Sequence, residues 1–302
     1  MNIRPLDLLD LPSLSRYRND AVTLDASRAL TRGHPLGVES FLAHFNLARH
    51  RYTAIGKEDG TSLLGSVIHV PDETFARLLY LAPASHLTHP DLPLLIEHLA
   101  AQAGTWGAFH ITAEVEETSQ AFPALRSAGF AVYAWQRMWD VSSVTGPSDP
   151  SGWTRVRETN LPAIQSLYYQ IVPPLLQPVE PTPRRATGYV SNDGMRCYVS
   201  PASGALGIVL APLIHPDATD VETKLAALIA NLPDRRNRPV YLCVRSYQTW
   251  LEPALEDLGA KSSQRQAVMV KHLARLVKEE QLAPAVQTAA ASVQPSQIKT
   301  KK

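Results

Sequence analysis

The chain has 302 residues, among them 29 basic and 28 acidic side chains, 24 prolines and only 15 glycines. Hydrophobic residues make up 45% and charged residues 19%, which excludes the collagen-like, coiled-coil, disulfide-scaffold and wholly disordered classes. At roughly 100–200 residues a domain, this length predicts about two domains.

Residues 1–141 alternate predicted strands and helices in the order β-α-(α)-β-β-β-α-β-α-β. Asp10, followed by Leu11 and Pro12, is typical of a helix start, and Gly129 of a helix end. The Asp-Gly pair at 59–60 predicts a hairpin. The predicted strands are 3–6, 51–57, 63–70, 75–81, 109–115 and 131–141, and the later predicted helices are 91–103 and 119–128.

The same pattern begins again after residues 142–152, a linker rich in Ser, Pro and Gly. Residues 253–259 match 123–129 at an offset of 130, whereas Leu161-Pro162 matches Leu11-Pro12 at an offset of 150. The spacing predicts an internal duplication with domains at 1–141 and 153–275, the second lacking a strand or hairpin in its middle. The composition of residues 281–302 predicts a disordered tail.

Bulk features of the chain predict its compartment and exclude some partners. Cys197 and Cys243, the only cysteines, lie in separate apolar segments, and no signal-peptide pattern precedes them. The longest apolar run, 205–214, is about half of the roughly 20 residues that span a bilayer. Outside the last four residues the chain is slightly acidic and has no basic stripe. We therefore expect a reduced, cytoplasmic protein that binds neither membranes nor nucleic acid.

Motifs at the ends of both copies indicate a family. Residues 3–6 (IRPL) and 10–12 (DLP) open the first copy, and 125–130 (LRSAGF) precede its last strand. Residues 251–259 and 266–272 close the second copy in the same order. The chain resembles the GCN5-related N-acetyltransferase (GNAT) superfamily over residues 1–141 and 153–275. The resemblance implies an α/β (α+β) fold: two mixed-sheet GNAT-like units in tandem, the second shortened.

The resemblance also implies acetyl-CoA as cosubstrate, entering where the sheet splays between its fourth and fifth strands. Backbone amides after the fourth strand would hold the pyrophosphate. Both loops at that place, 82–90 and 213–220, lack the glycines of the family pattern. The first is followed by an acid at the helix start, Asp91, and the second carries two aspartates, so both acyl-CoA loops look degenerate. The predicted cofactor-binding residues are Leu81, Ala82, Ser85, His86, Leu87, Thr88 and His89.

Catalytic groups are sparse in both copies. Where many family members have a tyrosine as general acid, this chain has Leu125 and Leu255. Glu114 and Glu116, at the end of a predicted strand, are the candidate general bases; with Glu117 they could equally form a solvated strand end or the acidic start of a helix. The resemblance thus implies acyl transfer from acyl-CoA to an unidentified amine. The alternative is an inactive GNAT pair that serves as a ligand-binding or protein-interaction module.

Three further features each allow two interpretations. His86 and His89 could contact phosphate or be loop residues, and their spacing fits no zinc template, so we expect no metal site. Tyr133, Trp135, Arg137 and Trp139 alternate along a strand and could line an acceptor pocket or pack against a helix. The proline-rich segment 172–185 ends in Arg184-Arg185, which could attract an acid, or it could be a surface connector.

Overall fold

The computed structural model describes residues 1–7, 10, 15–34, 36, 50–58, 61–147 and 152–273. The helix predicted to follow Asp10 falls largely on residues 11–14, outside the described residues, as does the predicted tail. The first half contains β1 Asn2–Pro5, β2 Val22–Thr23, α1 Ala26–Arg32, β3 His50–Glu58, β4 Thr61–His69, β5 Phe75–Ala82, α2 Leu92–Thr105, β6 His110–Glu116, α3 Ala121–Ser127 and β7 Ala131–Asp140. The second half contains β8 Trp153–Arg155, α4 Leu161–Ile171, β9 Tyr189–Ser191, β10 Cys197–Ser203, β11 Ile208–Ile214, α5 Val221–Ala230, β12 Val240–Arg245, α6 Glu252–Asp257, β13 Lys261–Ser262 and β14 Gln266–His272.

All described strands join one mixed sheet, in the order β1-β3-β4-β5-β6-β14-β7-β12-β11-β10-β9-β8, with β2 and β13 at its side. The predicted hairpin is present, because Glu58 pairs with Thr61 across residues 59 and 60. Gly129 and Gly259 end α3 and α6 with φ of 86° and 73°, a left-handed conformation that favours glycine. The prediction of a mixed α/β sheet in two similar halves is confirmed.

The shortening of the second half differs from the expectation of a missing strand. Apart from β2 and β13, each strand of the first half has a counterpart, with β8, β9, β10, β11, β12 and β14 following in the same order. The counterpart of the nine-residue β3 is the three-residue β9. The offset between equivalent strands falls from 151 at the first residues of β1 and β8 to 139 at those of β3 and β9 and to 130 at those of β6 and β12. More than half of the shortening therefore lies in the connection that precedes β9, and shorter strands account for only part of the rest. Sequence spacing cannot distinguish this from the loss of a strand.

Each half contains a parallel strand pair that separates along its length. Strands β5 and β6 pair only from Phe75 with His110 to Arg77 with Thr112. Strands β11 and β12 pair only from Ile208 with Val240 to Leu210 with Leu242. These are the fourth and fifth strands of each half, so the sheet has the expected splay in both. We call the two gaps the first opening and the second opening.

The closing strands of the two halves are exchanged. Strand β14, the last of the described strands, lies between β6 and β7 of the first half, and β7 lies between β14 and β12 of the second half. Gln136 pairs with Gln266, 130 positions later, and their side-chain amides share a hydrogen bond of 2.8 Å. Gln136 pairs on its other side with Arg245, as Gln266 does with Glu116. A pseudo-twofold axis therefore passes between the two glutamines.

Helices cover both faces of the sheet. On one face α2 and α3 pack on the first-half strands, and α5 and α6 pack on the second-half strands. On the other face α4 packs against Ala134, Tyr198 and Val268. Helix α1 belongs to the first half yet lies against β10 and β11 of the second, where Thr31 O accepts a hydrogen bond from Leu206 N. No described helix is long and apolar enough to span a membrane.

Candidate functional site

The predicted cofactor-binding residues lie together at the first opening. Leu81 and Ala82 end β5, Ser85 and His86 lie in the short helix Ala84–His86, and Leu87, Thr88 and His89 lead towards α2. Several polar groups here already have partners within the loop: His86 N donates to Pro83 O, and His89 N to His86 O. The loop is folded on itself.

The chain's own strand β2 occupies the first opening. Val22 and Thr23 pair with Leu81 and Tyr80 on the free edge of β5. Leu24 N donates to Leu79 O at 2.9 Å, and Leu24 O accepts from Glu114 N of β6 at 2.8 Å. The Leu24 side chain is 1% exposed. Residues 22–24 thus bridge the two separating strands, at the place where the resemblance predicts the cofactor.

Asp20 caps the loop that follows β5. Its carbonyl oxygen accepts from Ala84 N at 2.9 Å, and its carboxylate accepts from Ser85 N at 3.2 Å and from Ser85 Oγ at 2.9 Å. An internal anion therefore already uses backbone and hydroxyl donors of the predicted pyrophosphate loop. Asp20 and β2 together form what we call the plug, residues 20–24.

A buried glutamine occupies the second opening. Gln248, 1% exposed, accepts a hydrogen bond from Ile214 N and donates one to Pro212 O, both at 2.9 Å. Its amide satisfies the backbone groups that β11 exposes where it leaves β12. In both openings, groups of the chain itself thus form backbone hydrogen bonds that a neighbouring strand would otherwise form. Residues 22–24 do so in the first opening, and the Gln248 side chain does so in the second.

A cavity of about 690 Å³ lies on the face that carries α1 and α4, between the two halves. First-half residues from α1, β5 and β6 line one side, and second-half residues from β10, β11, β12 and the proline-rich segment line the other. Thr74 Oγ1 donates to Pro178 O across the halves. We call it the composite cavity, because neither half forms it alone.

Only one of the two catalytic candidates lines this cavity. Glu114 is 16% exposed; its Oε2 accepts from Ala26 N at 2.9 Å and its Oε1 lies 3.4 Å from Arg245 Nη1. Glu116 is exposed at the end of β6 and lies outside the cavity lining. Glu117 forms an exposed ion pair with Arg265. Leu125 and Leu255 are fully buried in the core on the opposite face.

Arg245 connects both halves at the cavity floor. Its Nε lies 2.9 Å from Glu180 Oε1, and its Nη2 donates to Glu180 Oε2 at 3.3 Å. It also donates to Gln136 Oε1. Burial raises the pKa of Glu180, although the Arg245 charge opposes the rise. For Arg245 itself burial opposes the charged form, but the carboxylates of Glu180 and Glu114 hold its pKa well above the ordinary value.

A second charged group lines the first-half side. Arg77 makes a two-pronged ion pair with Glu73, with distances of 2.7 and 3.1 Å. Asp25 caps α1 by accepting from Arg28 N at 2.9 Å. Burial raises the pKa of Asp25, and the neighbouring Glu114 raises it further. The four carboxylates of Asp25, Glu73, Glu114 and Glu180 thus share this part of the cavity lining with three guanidinium groups, those of Arg28, Arg77 and Arg245.

The sequence pattern did not identify Asp25, Arg77, Glu180 or Arg245 as site residues. The available signal was a charge inside or at the end of an apolar strand, as with Arg77 inside β5 and Arg245 at the end of β12. Such a charge is buried only when it has a partner. The partners come from distant segments, so residue spacing could not pair them.

The histidines and the aromatic strand have structural partners. His86 Nδ1 lies 3.1 Å from Ser85 Oγ, and His89 Nδ1 accepts from Asp91 N. No group of metal-ligating side chains occurs among the described residues. Trp135 stacks on Phe122 and under the Arg265 guanidinium, and Trp139 is buried, which supports the packing interpretation for this face.

Comparisons with known proteins identify the fold. No protein-family model matches the sequence, and no curated protein matches it. A GCN5-related N-acetyltransferase from Sphaerobacter thermophilus has a similar structure, at 14% identity and a TM-score of 0.55, over 91% of this chain and 96% of that one. A tandem GNAT protein from the clavulanic acid biosynthesis pathway is similar at 13% identity and 0.52, over 91% and 99%. A putative acetyltransferase from Pyrococcus horikoshii is similar at 10% identity and 0.50, over 90% and 89%. The chain has the tandem GNAT fold.

Proposed function

We propose that this protein is a ligand-binding GNAT pair, that its ligand occupies the composite cavity, and that it works without acyl-CoA. The observation that carries this proposal is the filling of both openings by the chain's own groups. To enter the first opening, acyl-CoA must displace the plug, and exposing the buried Leu24 side chain alone costs about 2–3 kcal/mol. The second opening would require Gln248 to abandon two buried hydrogen bonds.

A second candidate function is acyl transfer from acetyl-CoA to an amine, the usual activity of this fold. The position of Glu114 favours it, because this carboxylate lies in the composite cavity beside the first opening. In that function residues 81, 82 and 85–89 would hold the cofactor after the plug has moved. Glu114 would then accept the proton of the attacking amine.

Calorimetric titration of the full chain with acetyl-CoA and with CoA separates the two functions. The proposal expects no binding at millimolar ligand, since both openings are closed. Binding would favour acyl transfer instead. The Thr88→Asp and Thr219→Asp variants then locate it, because each places an anion in one of the two loops and repels a pyrophosphate there only.

A further inference from the structure

Helix α1 connects the plug to the second half of the molecule. Leu24 ends the plug, Asp25 caps α1 and Ala26 begins it, so only the capping residue lies between plug and helix. Near the other end of α1, Thr31 O accepts a hydrogen bond of 3.0 Å from Leu206 N in the hairpin between β10 and β11. The segment that closes the first opening is therefore bound at its far end to the other half.

We propose that α1 is a strap through which the second half keeps the plug in place, so that release of α1 from the β10–β11 hairpin uncovers the first opening. Access to an opening in one half is then controlled by a contact in the other. This inference goes beyond the proposed function and shares with it only the premise that the plug closes the first opening.

Two glycines allow the hairpin to approach the backbone of α1. A Cβ atom on Gly204 would clash with Thr31 O, and a Cβ atom on Gly207 would lie 2.7 Å from Leu30 O. Both clashes are with main-chain carbonyl groups, which cannot rotate away as the end of a side chain could. Glycine is the residue that permits such a close approach of two backbones. The contact between α1 and the hairpin thus depends on these two residues.

Helix α1 depends on the second half for its helical conformation. It has only seven residues, and isolated helices shorter than about 12 residues are marginal in water. Its apolar residues Ala26 and Leu30 pack in one cluster with Val209 of β11 and Cys243 of β12. Loss of these contacts should therefore unwind α1 rather than leave it as a free helix.

Unwinding of α1 would remove bonds that hold the plug. Ala26 N donates to Glu114 Oε2 at 2.9 Å, and Glu114 N donates to Leu24 O at 2.8 Å. Glu114 thus binds the first turn of α1 with its side chain and the plug with its backbone. Strand β2 pairs with β5 over two residues only, which is too short a ladder to persist without such support. The plug and α1 should therefore leave their positions together.

The strap also forms part of the wall of the composite cavity. Ser27, Arg28 and Thr31 of α1 line this cavity. A ligand shifts an equilibrium towards the conformation that it binds more tightly. A ligand that contacts α1 in its docked position therefore also favours the closed state of the first opening.

Hydrogen exchange in two glycine variants tests the strap. Gly204→Ala places a methyl group against the backbone of α1, whereas Gly146→Ala places one against the backbone of α5, also in the second half, and leaves α1 untouched. We expect the amides of Leu24 and Glu114 to exchange about tenfold faster in Gly204→Ala than in Gly146→Ala. Equal rates in the two variants would overturn the proposal, because the plug would then open only together with the whole sheet.

The coupling must also operate in the reverse direction, because linked equilibria are reciprocal. Asp20→Ala removes the carboxylate that holds Ser85 in the first opening. It should speed exchange of the Leu206 amide, at the far end of α1, about fivefold. Asp257→Ala, an exposed residue of α6, should leave this amide unchanged. An unchanged rate at Leu206 in Asp20→Ala would contradict the strap, even if Gly204→Ala failed to fold.

The proposed function and the strap fail by different results. Binding of acetyl-CoA to the unaltered protein would reject a function without acyl-CoA, and the exchange rates would still decide whether α1 controls the first opening. Equal exchange rates in the two glycine variants would reject the strap and leave the composite cavity as the proposed ligand site.

Discussion

Arg245 holds residues from three separate segments at one point. Its guanidinium contacts Glu180 of the proline-rich segment, Gln136 of β7 and Glu114 of β6. It stands opposite Gln136 in the sheet as Glu116 stands opposite Gln266, so a buried cation replaces what is an exposed acid in the first half. Equivalent positions in the two halves therefore carry opposite charges, Arg245 in one and Glu116 in the other. The pseudo-twofold symmetry of the backbone does not extend to these side chains.

The Glu180→Ala variant should lose about 3 kcal/mol of unfolding free energy, because it leaves the Arg245 charge largely buried without its main partner. Urea unfolding followed by tryptophan fluorescence measures this loss. Glu117→Ala is the matched control: its ion pair with Arg265 is nearly half exposed on both sides and should be worth less than about 1 kcal/mol. Equal losses would mean that Glu180 does not compensate the Arg245 charge.

Among the secondary-structure elements, the plug is the main difference from what the fold implies. The fold implies an opening that acyl-CoA can enter, and in this chain the plug occupies it. Strand β2 has only two residues, which is too short for any alternation of polar and apolar side chains to predict it. The longer strands and α2 were predicted to within one or two residues, because their apolar runs end at recognisable turn residues. The splay was predictable from the resemblance, but its occupant was not, because residues 20–24 reach it only through tertiary contacts.

Hydrogen exchange measures how firmly the plug is held. In the ligand-free protein the amides of Leu24 and Glu114 should exchange slowly, since both donate within the first opening. The Asp20→Ala variant removes the carboxylate that holds Ser85, a loss of about 1 kcal/mol, and should speed both amides about fivefold. Asp257→Ala, an exposed residue of α6, should leave them unchanged. Fast exchange of both amides in the unaltered protein would contradict a closed opening.

At the scale of the whole molecule, the two halves share a sheet. The offset of 130 between matching segments predicted the repeat, and the same offset relates the paired Gln136 and Gln266. Sequence spacing could not predict the exchange of β7 and β14. The apolar pattern of each strand is compatible with pairing in either half, so the pattern does not identify the half that the strand joins. The composite cavity was unpredictable for the same reason, since it forms where the halves meet.

The exchange predicts one unfolding transition for the full chain. Removing β14 from the first half would expose the edges of both β6 and β7, so neither half can unfold alone at low cost. Urea curves from circular dichroism and from tryptophan fluorescence should therefore coincide. Two separated transitions would indicate halves that fold independently, in line with the boundaries at 141 and 153 that the linker composition predicts.

The position of β14 also limits when the protein can fold during synthesis. A ribosome makes the chain from its N-terminus, and the strand that completes the first half of the sheet is residues 266–272. Until those residues leave the exit tunnel, β6 and β7 lack the strand that lies between them. The nascent first half must therefore wait through the translation of more than a hundred residues with two open strand edges, which are the kind of surface that chaperones bind and that aggregates form on.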